Sequence, residues 1–252
     1  MDFEQILLFA LIIMCTYFIE GLIGFGGTIM ALPLASMVVG IKITVPVLTI
    51  VVLIASIVIA IRDFKHIDKK QLIKITGFMA AGLPIGMILF SVLPERPLKV
   101  ALGIFMVIIG AKGIYDSTEK RQAELKSKEN IETSKIAKII ENITLFAGGI
   151  VHGAFTCGGP FVVMYATKNI KDKSSFRATL CALWAALNAL MLSINVFKGE
   201  ITGEIMKLSG ITMIFVMVAI YVSNIVHKKI NGDSFNKFVY IALCISGVLM
   251  AK

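Results

Sequence analysis

The sequence predicts an all-α integral membrane protein of two inverted repeats, each a Gly-broken re-entrant hairpin followed by three transmembrane helices. Three observations carry that prediction. Hydrophobic residues make up 57% of the 252 and charged residues only 16%, with a mean hydropathy of +0.88; a soluble domain of this length needs more polar surface. Apolar runs near the length that crosses a ~30 Å hydrocarbon core recur along the chain. One strongly polar stretch, 117–138, divides the chain into near-equal halves whose features recur in the same order.

In chain order, the first apolar stretch, Ile6–Gly40, is too long for one pass and is interrupted by Gly21, Gly24, Gly26 and Gly27. Plain spans follow at Ile43–Ile61, Leu72–Leu93 and Leu98–Tyr115. Beyond the polar stretch, Ile139–Thr167 is interrupted at Gly158 and Gly159, and spans follow at Phe176–Phe197, Leu208–Val226 and Phe238–Met250. Backbone polar groups in lipid must be bonded within the segment, so each run is a helix. The organisation expected is a first membrane repeat over 1–116, a charged linker over 117–138 and a second repeat over 139–252.

The halves align without a gap at their breaks, Ile19–Gly27 standing over Val151–Gly159. Paired glycines are poor in a helix interior, and each pair is followed by a restart: Pro160 suits a first helical position, and Thr28 can cap the other helix. Non-helical backbone at membrane depth is tolerated where protein buries it or a wet cavity meets it. Close packing of helices through small residues is the alternative use of such glycines. Breaks at matching places in both halves favour a site.

The basic residues set the topology. If each interrupted stretch crosses once, the 25 Lys and Arg divide 15 to 10 between the two sides. If each turns back at its break, with arms Gln5–Ile19 and Thr28–Gly40 of roughly 20 Å, segments 62–74, 112–138, 168–177 and 228–237 share a side. The division is then 19 to 6. The positive-inside rule prefers this arrangement, with a cytoplasmic linker and both termini outside a cell (inner) membrane crossed several times.

The +9 net charge is accounted for by these flanking lysines, so no nucleic-acid partner is expected. Cys15, Cys157, Cys181 and Cys244 lie in or beside apolar segments without C-x-x-C spacing, which excludes a disulfide framework and a zinc site. There is no phosphate-binding loop, no H-E-x-x-H and no dinucleotide fingerprint, so neither a cofactor nor ATP-driven pumping is expected. The acidic start, Met1-Asp2-Phe3-Glu4, does not read as a cleavable signal.

The candidate site follows from the breaks. If the hairpin tips meet, half-helix starts at Gly26, Gly27 and Thr28 and at Gly158, Gly159 and Pro160 turn free N–H groups to one place. Helix N-termini attract anions without a fixed cation. Thr28 and Thr156 add hydroxyl donors; Cys157 is a weak donor or simply a small buried hydrophobe. Glu20 and His152 stand at equivalent positions before the breaks. They read either as proton carriers or as partners for exposed backbone. Asn188, deep in a long span, faces the cavity or glues helices together, while Arg177 reads as an interfacial anchor. The partners expected are a small anionic substrate and the lipid bilayer, with a homo-oligomer left open. Against a non-enzymatic permease stand an intramembrane enzyme using Cys157 and His152, and a non-transporting membrane subunit.

With these motifs the chain resembles the sulfite exporter TauE/SafE family of membrane permeases, whose two repeats each open on a glycine-rich motif, G-x-x-G-x-G-G-G, before an apolar run and proline. Here the first copy reads Gly21, Gly24, Gly26, Gly27 and Thr28, with Pro33 downstream. Further agreement lies in Gly82-Leu83-Pro84-Ile85-Gly86, in Leu93-Pro94 before Leu98-Lys99, and in Arg177-Ala178-Thr179. The third glycine is Thr28 in one copy and Pro160 in the other, Thr156 stands where Gly24 would be matched, and Tyr165 replaces Pro33. The resemblance implies export or uptake of a small anion such as sulfite, a sulfonate or a related organic acid.

Overall fold

The computed structural model describes residues 1–23, 26–116 and 135–226, with Cys244 and Val248 beyond them. Most of the polar stretch, Gly24 and Phe25, and nearly all of the last expected span lie outside the described residues. Among the described residues all regular structure is helical: α1 Phe3–Ile23, α2 Gly27–Val39, α3 Ile41–Arg62, a 3-10 turn Phe64–His66, α4 Lys69–Val92, α5 Glu95–Asp116, α6 Lys135–Phe155, α7 Gly159–Asn169, α8 Lys173–Phe197 and α9 Gly203–Val226. Six of these (α1, α3, α4, α5, α8 and α9) are long and apolar enough to cross a membrane.

One expectation is corrected. The entering arms α1 and α6 each run for 21 residues, about 31 Å at the helical rise, where a 15-residue, roughly 20 Å arm was expected for the first hairpin. A single glycine such as Gly21 costs only ~1 kcal/mol in a helix, less than unpaired backbone in lipid, so the helix runs through it. The returning arms α2 and α7 are half-length, at 13 and 11 residues. α6 itself begins at Lys135, inside the stretch assigned to the linker.

Helix boundaries recur at one spacing. Phe3 and Lys135, Ile23 and Phe155, Gly27 and Gly159, and Ile41 and Lys173 are each 132 residues apart. The register then slips by two, because α8 outlasts α3, and α4 and α9 start and end 134 apart. Local caps mark several starts. Asp68 accepts from Gln71 N–H at 3.0 Å, Asp172 from Ser175 N–H at 2.7 Å, and Thr202 from Ile205 N–H at 3.3 Å. The start of α3 has no such neighbour and is met instead by Glu95 of α5, whose Oε1 accepts from Ile41 N–H at 3.2 Å.

The helices pack across the halves. α1 lies along α9, α4 along α6 and α3 along α8, while each returning arm folds back on its own entering arm. Met79 faces Gly149, Leu83 faces Gly153 and Gly86 faces Ala154, so α4 and α6 advance together and are parallel. The Met1 ammonium lies 3.3 Å from Glu204 at the start of α9, so α1 and α9 are parallel too. Asp68, after α3, donates its N–H to Thr179 near the start of α8 at 2.9 Å. α3 and α8 are therefore antiparallel.

Two apolar cores result. One joins α1, α2, α3 and α5 to α9 and to the end of α6; the other joins α6, α7 and α8 to α4. Each hairpin is thus bedded against a helix of the other half, and Trp184 packs against both cores. Outward faces carry Ile54, Val58, Ile61, Ile88, Ile108, Ile214 and Phe197, a surface made for lipid rather than water.

Candidate functional site

The first break is held by residues one and two turns back along α1. Gly26 adopts φ +96°, in the left-handed region, and α2 restarts at Gly27. The helix has no side-chain cap, which corrects the expectation for Thr28. That residue is instead the second of α2, and its Oγ1 lies 3.2 Å from Tyr17 Oη. Glu20 leans over the restart: its carboxyl reaches the backbone N–H groups of Gly27 and Thr28. A Cβ on Gly27 would collide with Glu20 Oε2 and stand 3.0 Å from Thr16 O. Oε2 is itself buried and makes no hydrogen bond of sound geometry, so the attraction to these N–H groups is electrostatic rather than a closed cap.

The second break uses other residues for the same end. Thr156 is the one non-glycine residue with positive φ among the described residues, at +56°. A β-branched residue rarely adopts that conformation. Its hydroxyl lies 3.1 Å from Thr49 Oγ1 of α3. Thr49 spends its single proton on Val45 O at 2.9 Å, so Thr156 is the donor of the pair. The left-handed turn is therefore tied to α3.

His152 receives the next N–H: Gly158 N lies 3.5 Å from His152 Nδ1. That acceptor role places the imidazole proton on Nε2, which is buried and unpartnered. The ring stacks on Trp184 of α8, centroids 5.2 Å apart. Pro160 is the second residue of α7, where its missing N–H is harmless.

A side-chain contact links the two breaks. A Cβ on Gly159 would stand 3.7 Å from Ile29 Cδ1, putting the start of α7 beside the start of α2. Gly27, Thr28 and Glu20 lie at the first break; Thr156, Gly158, Gly159 and His152 lie at the second. Two expected members make hydrogen bonds to their own segments. Cys157 is 2% exposed and its thiol meets Phe155 O at 3.3 Å, in keeping with the small-hydrophobe alternative. Asn188 gives its Nδ2 to Trp184 O at 2.8 Å and keeps a buried, unpartnered Oδ1.

Sequence reasoning missed Tyr17, Thr49 and Trp184. Tyr17 lies one turn before Glu20 on α1, and Trp184 is the sole tryptophan of the chain, so both carried some signal; Thr49 carried none. Among the described residues no group of three or more His, Cys, Asp or Glu is placed to hold a metal ion.

Part of the glycine pattern serves packing instead. A Cβ on Gly82, Gly86, Gly149 or Gly153 would run into the backbone of the facing helix, in the close parallel contact of α4 and α6. These packing glycines are other ones than Gly26, Gly27 and Gly159 at the breaks.

A family model described as Sulfite exporter TauE/SafE matches residues 8–250, nearly the whole chain. No curated protein and no solved structure matches it.

Proposed function

The chain belongs to the sulfite exporter TauE/SafE family, and from that premise we propose that it is a secondary permease carrying sulfite, a sulfonate or a related small organic anion through its two facing breaks. The observation that carries this reading is the approach of Gly159 to Ile29, which sets the start of α7 beside the first turn of α2. Converging N–H groups and positive helix ends suit an anion that must be bound and then released. The test is flux of sulfite and of methanesulfonate in proteoliposomes of the full-length protein. Flux above protein-free vesicles is expected, abolished by Gly27→Leu; folded wild-type protein that moves neither anion overturns the reading.

The running directions support inverted repeats over 1–116 and 139–252. α3 and its counterpart α8 are antiparallel, and α1 and α6 follow α9 and α4 respectively. On this reading, 19 of the 25 Lys and Arg collect on the cytoplasmic side of the membrane, with linker 117–138 there and both termini outside. Single cysteines introduced at 42 and 96 should label from outside, and those at 68 and 171 from inside; labelling of 68 and 171 from opposite sides overturns the inversion.

An intramembrane enzyme needs Cys157 and His152 to meet. Here the thiol turns to Phe155 O and the imidazole Nδ1 to Gly158 N, which leaves the nucleophile without its base.

A further inference from the structure

The two breaks cover their restarting helices with groups of different chemistry. At α7 the acceptor is an imidazole nitrogen, His152 Nδ1. At α2 no side-chain hydrogen bond closes the start; a carboxyl, Glu20, lies over Gly27 and Thr28 and fills the space above Gly27. Its Oε2 is buried and unpartnered. The start of α2 is therefore already occupied by a group of the chemistry that the site would take from solution. A second anion cannot share it, since two like charges against the same N–H groups, away from water, repel strongly.

We propose that Glu20 is a resident anion at the start of α2, and that a transported anion takes its place there only when Glu20 picks up a proton and leaves Gly27 and Thr28. This rests on the permease reading and specifies how protons are coupled to it. The exchange balances. A proton from water ends on a Glu20 carboxyl oxygen, the attraction of the two N–H groups passes from the carboxylate to the incoming anion, and the charge of the site is unchanged. Release on the far side reverses each step. The second hairpin has no equivalent exchange, because a neutral imidazole brings no negative charge to displace.

Few other groups can supply the effect. Among the described residues, Tyr17 on α1 and Cys181 on α8 lie in electrostatic reach of Glu20. α2 carries no ionisable residue, α3 carries Lys42 and Arg62 at its ends, α8 adds Lys173 and Arg177 near its start, and α9 has Glu204, Lys207 and Tyr221 towards its ends.

The test uses full-length protein in nanodiscs and methanesulfonate, which stays a monoanion across the working pH range. Calorimetry in two buffers of different ionisation enthalpy should show about one proton taken up per anion bound by the wild type. Affinity should fall by about tenfold per pH unit once Glu20 ionises. Glu20→Gln should bind with the low-pH affinity at every pH and without proton uptake. In Glu20→Ala, formate should compete with methanesulfonate far better than in the wild type, because it refills the vacated place.

Anion binding to the wild type without proton uptake overturns the proposal while leaving the permease reading intact, and that measurement needs no variant to fold. A pH dependence unchanged in folded Glu20→Gln overturns it as well. Absence of binding of both methanesulfonate and sulfite to the wild type overturns both readings.

Discussion

The two helix breaks occupy equivalent places in their halves, yet each is built from different residues. The first turns on a glycine, Gly26, and is covered by a carboxyl; the second turns on a threonine, Thr156, and is covered by an imidazole. Glycine needs no help to reach φ > 0, so the first turn stands without any described tie from Gly26 to another helix. Threonine does need help, and receives it from Thr49 of α3. The seats differ as well. The second hairpin lies backbone-to-backbone on α4 through glycines, whereas the first meets α9 through larger side chains, with Phe9, Ile13, Val216 and Ala219 in one core. A shared architecture thus carries two unlike breaks: one with a carboxyl over its helix start, and one tied to its neighbours.

The largest effect expected from this contrast is on stability. Gly86→Leu or Gly153→Leu drives a side chain into the facing backbone and should destabilise the protein by at least about 3 kcal/mol. It should be visible as loss of monodisperse protein or a large fall in Tm in detergent. Gly210→Leu on α9, whose Cβ would meet nothing within 4 Å, should stay within ~0.5 kcal/mol of wild type. Equal damage from Gly210→Leu would erase the distinction between the seats.

Next comes transport. Gly27→Ala displaces Glu20 from the start of α2, whereas the Cβ of Gly159→Ala meets only Ile29 Cδ1 at an ordinary 3.7 Å. Initial rates in proteoliposomes should fall roughly tenfold or more in the first and less than about twofold in the second. Similar losses in both would mean that the two breaks are equivalent after all.

A smaller effect sharpens the second break alone. Thr49→Val, Thr156→Val and the double variant form a cycle across the 3.1 Å contact. Their coupling, read from denaturation midpoints, should be about 1 kcal/mol in favour of the intact pair. A coupling near zero would leave Thr156 at positive φ without its support.

The smallest effect compares the joints that lead into α3 and α8. α8 is capped by its own Asp172, and hydrogen bonds from the backbone and side chain of Ser175 hold that carboxyl below the usual aspartate range. A group whose folded pKa is depressed stabilises at pH above its unfolded pKa, and this contribution is lost as pH falls through the folded one. Asp172→Asn should therefore lower Tm slightly at neutral pH and match wild type once the pH is well below the ordinary aspartate pKa. α3, capped from a distance by Glu95, should be indifferent to Asp172→Asn in local hydrogen exchange.

Where each half-helix restarts was legible because glycine pairs in apolar runs are a local signal. Both α2 and α7 begin on the aligned glycines Gly27 and Gly159. The length of the entering arms was not, since it depends on whether isolated glycines stop a helix, and in lipid they do not. Thr28 looked like a cap on local rules, but Gly26 and the overlying Glu20 left it the second place in the helix.

What the sequence determined by itself was the class of molecule, the order of the described helices and the placing of its breaks. Each of these follows from composition or from short-range backbone chemistry, and the membrane leaves the backbone few choices. The tertiary structure alone decided that α4 beds the second hairpin and α9 the first, that Thr49 holds Thr156, and that Cys157 faces the core. It alone placed Glu20 on the N–H groups of Gly27 and Thr28. Those outcomes depend on how close two distant backbones can approach and on which way one residue beyond a positive φ turns. Side-chain volume and packing settle both only after the helices have met.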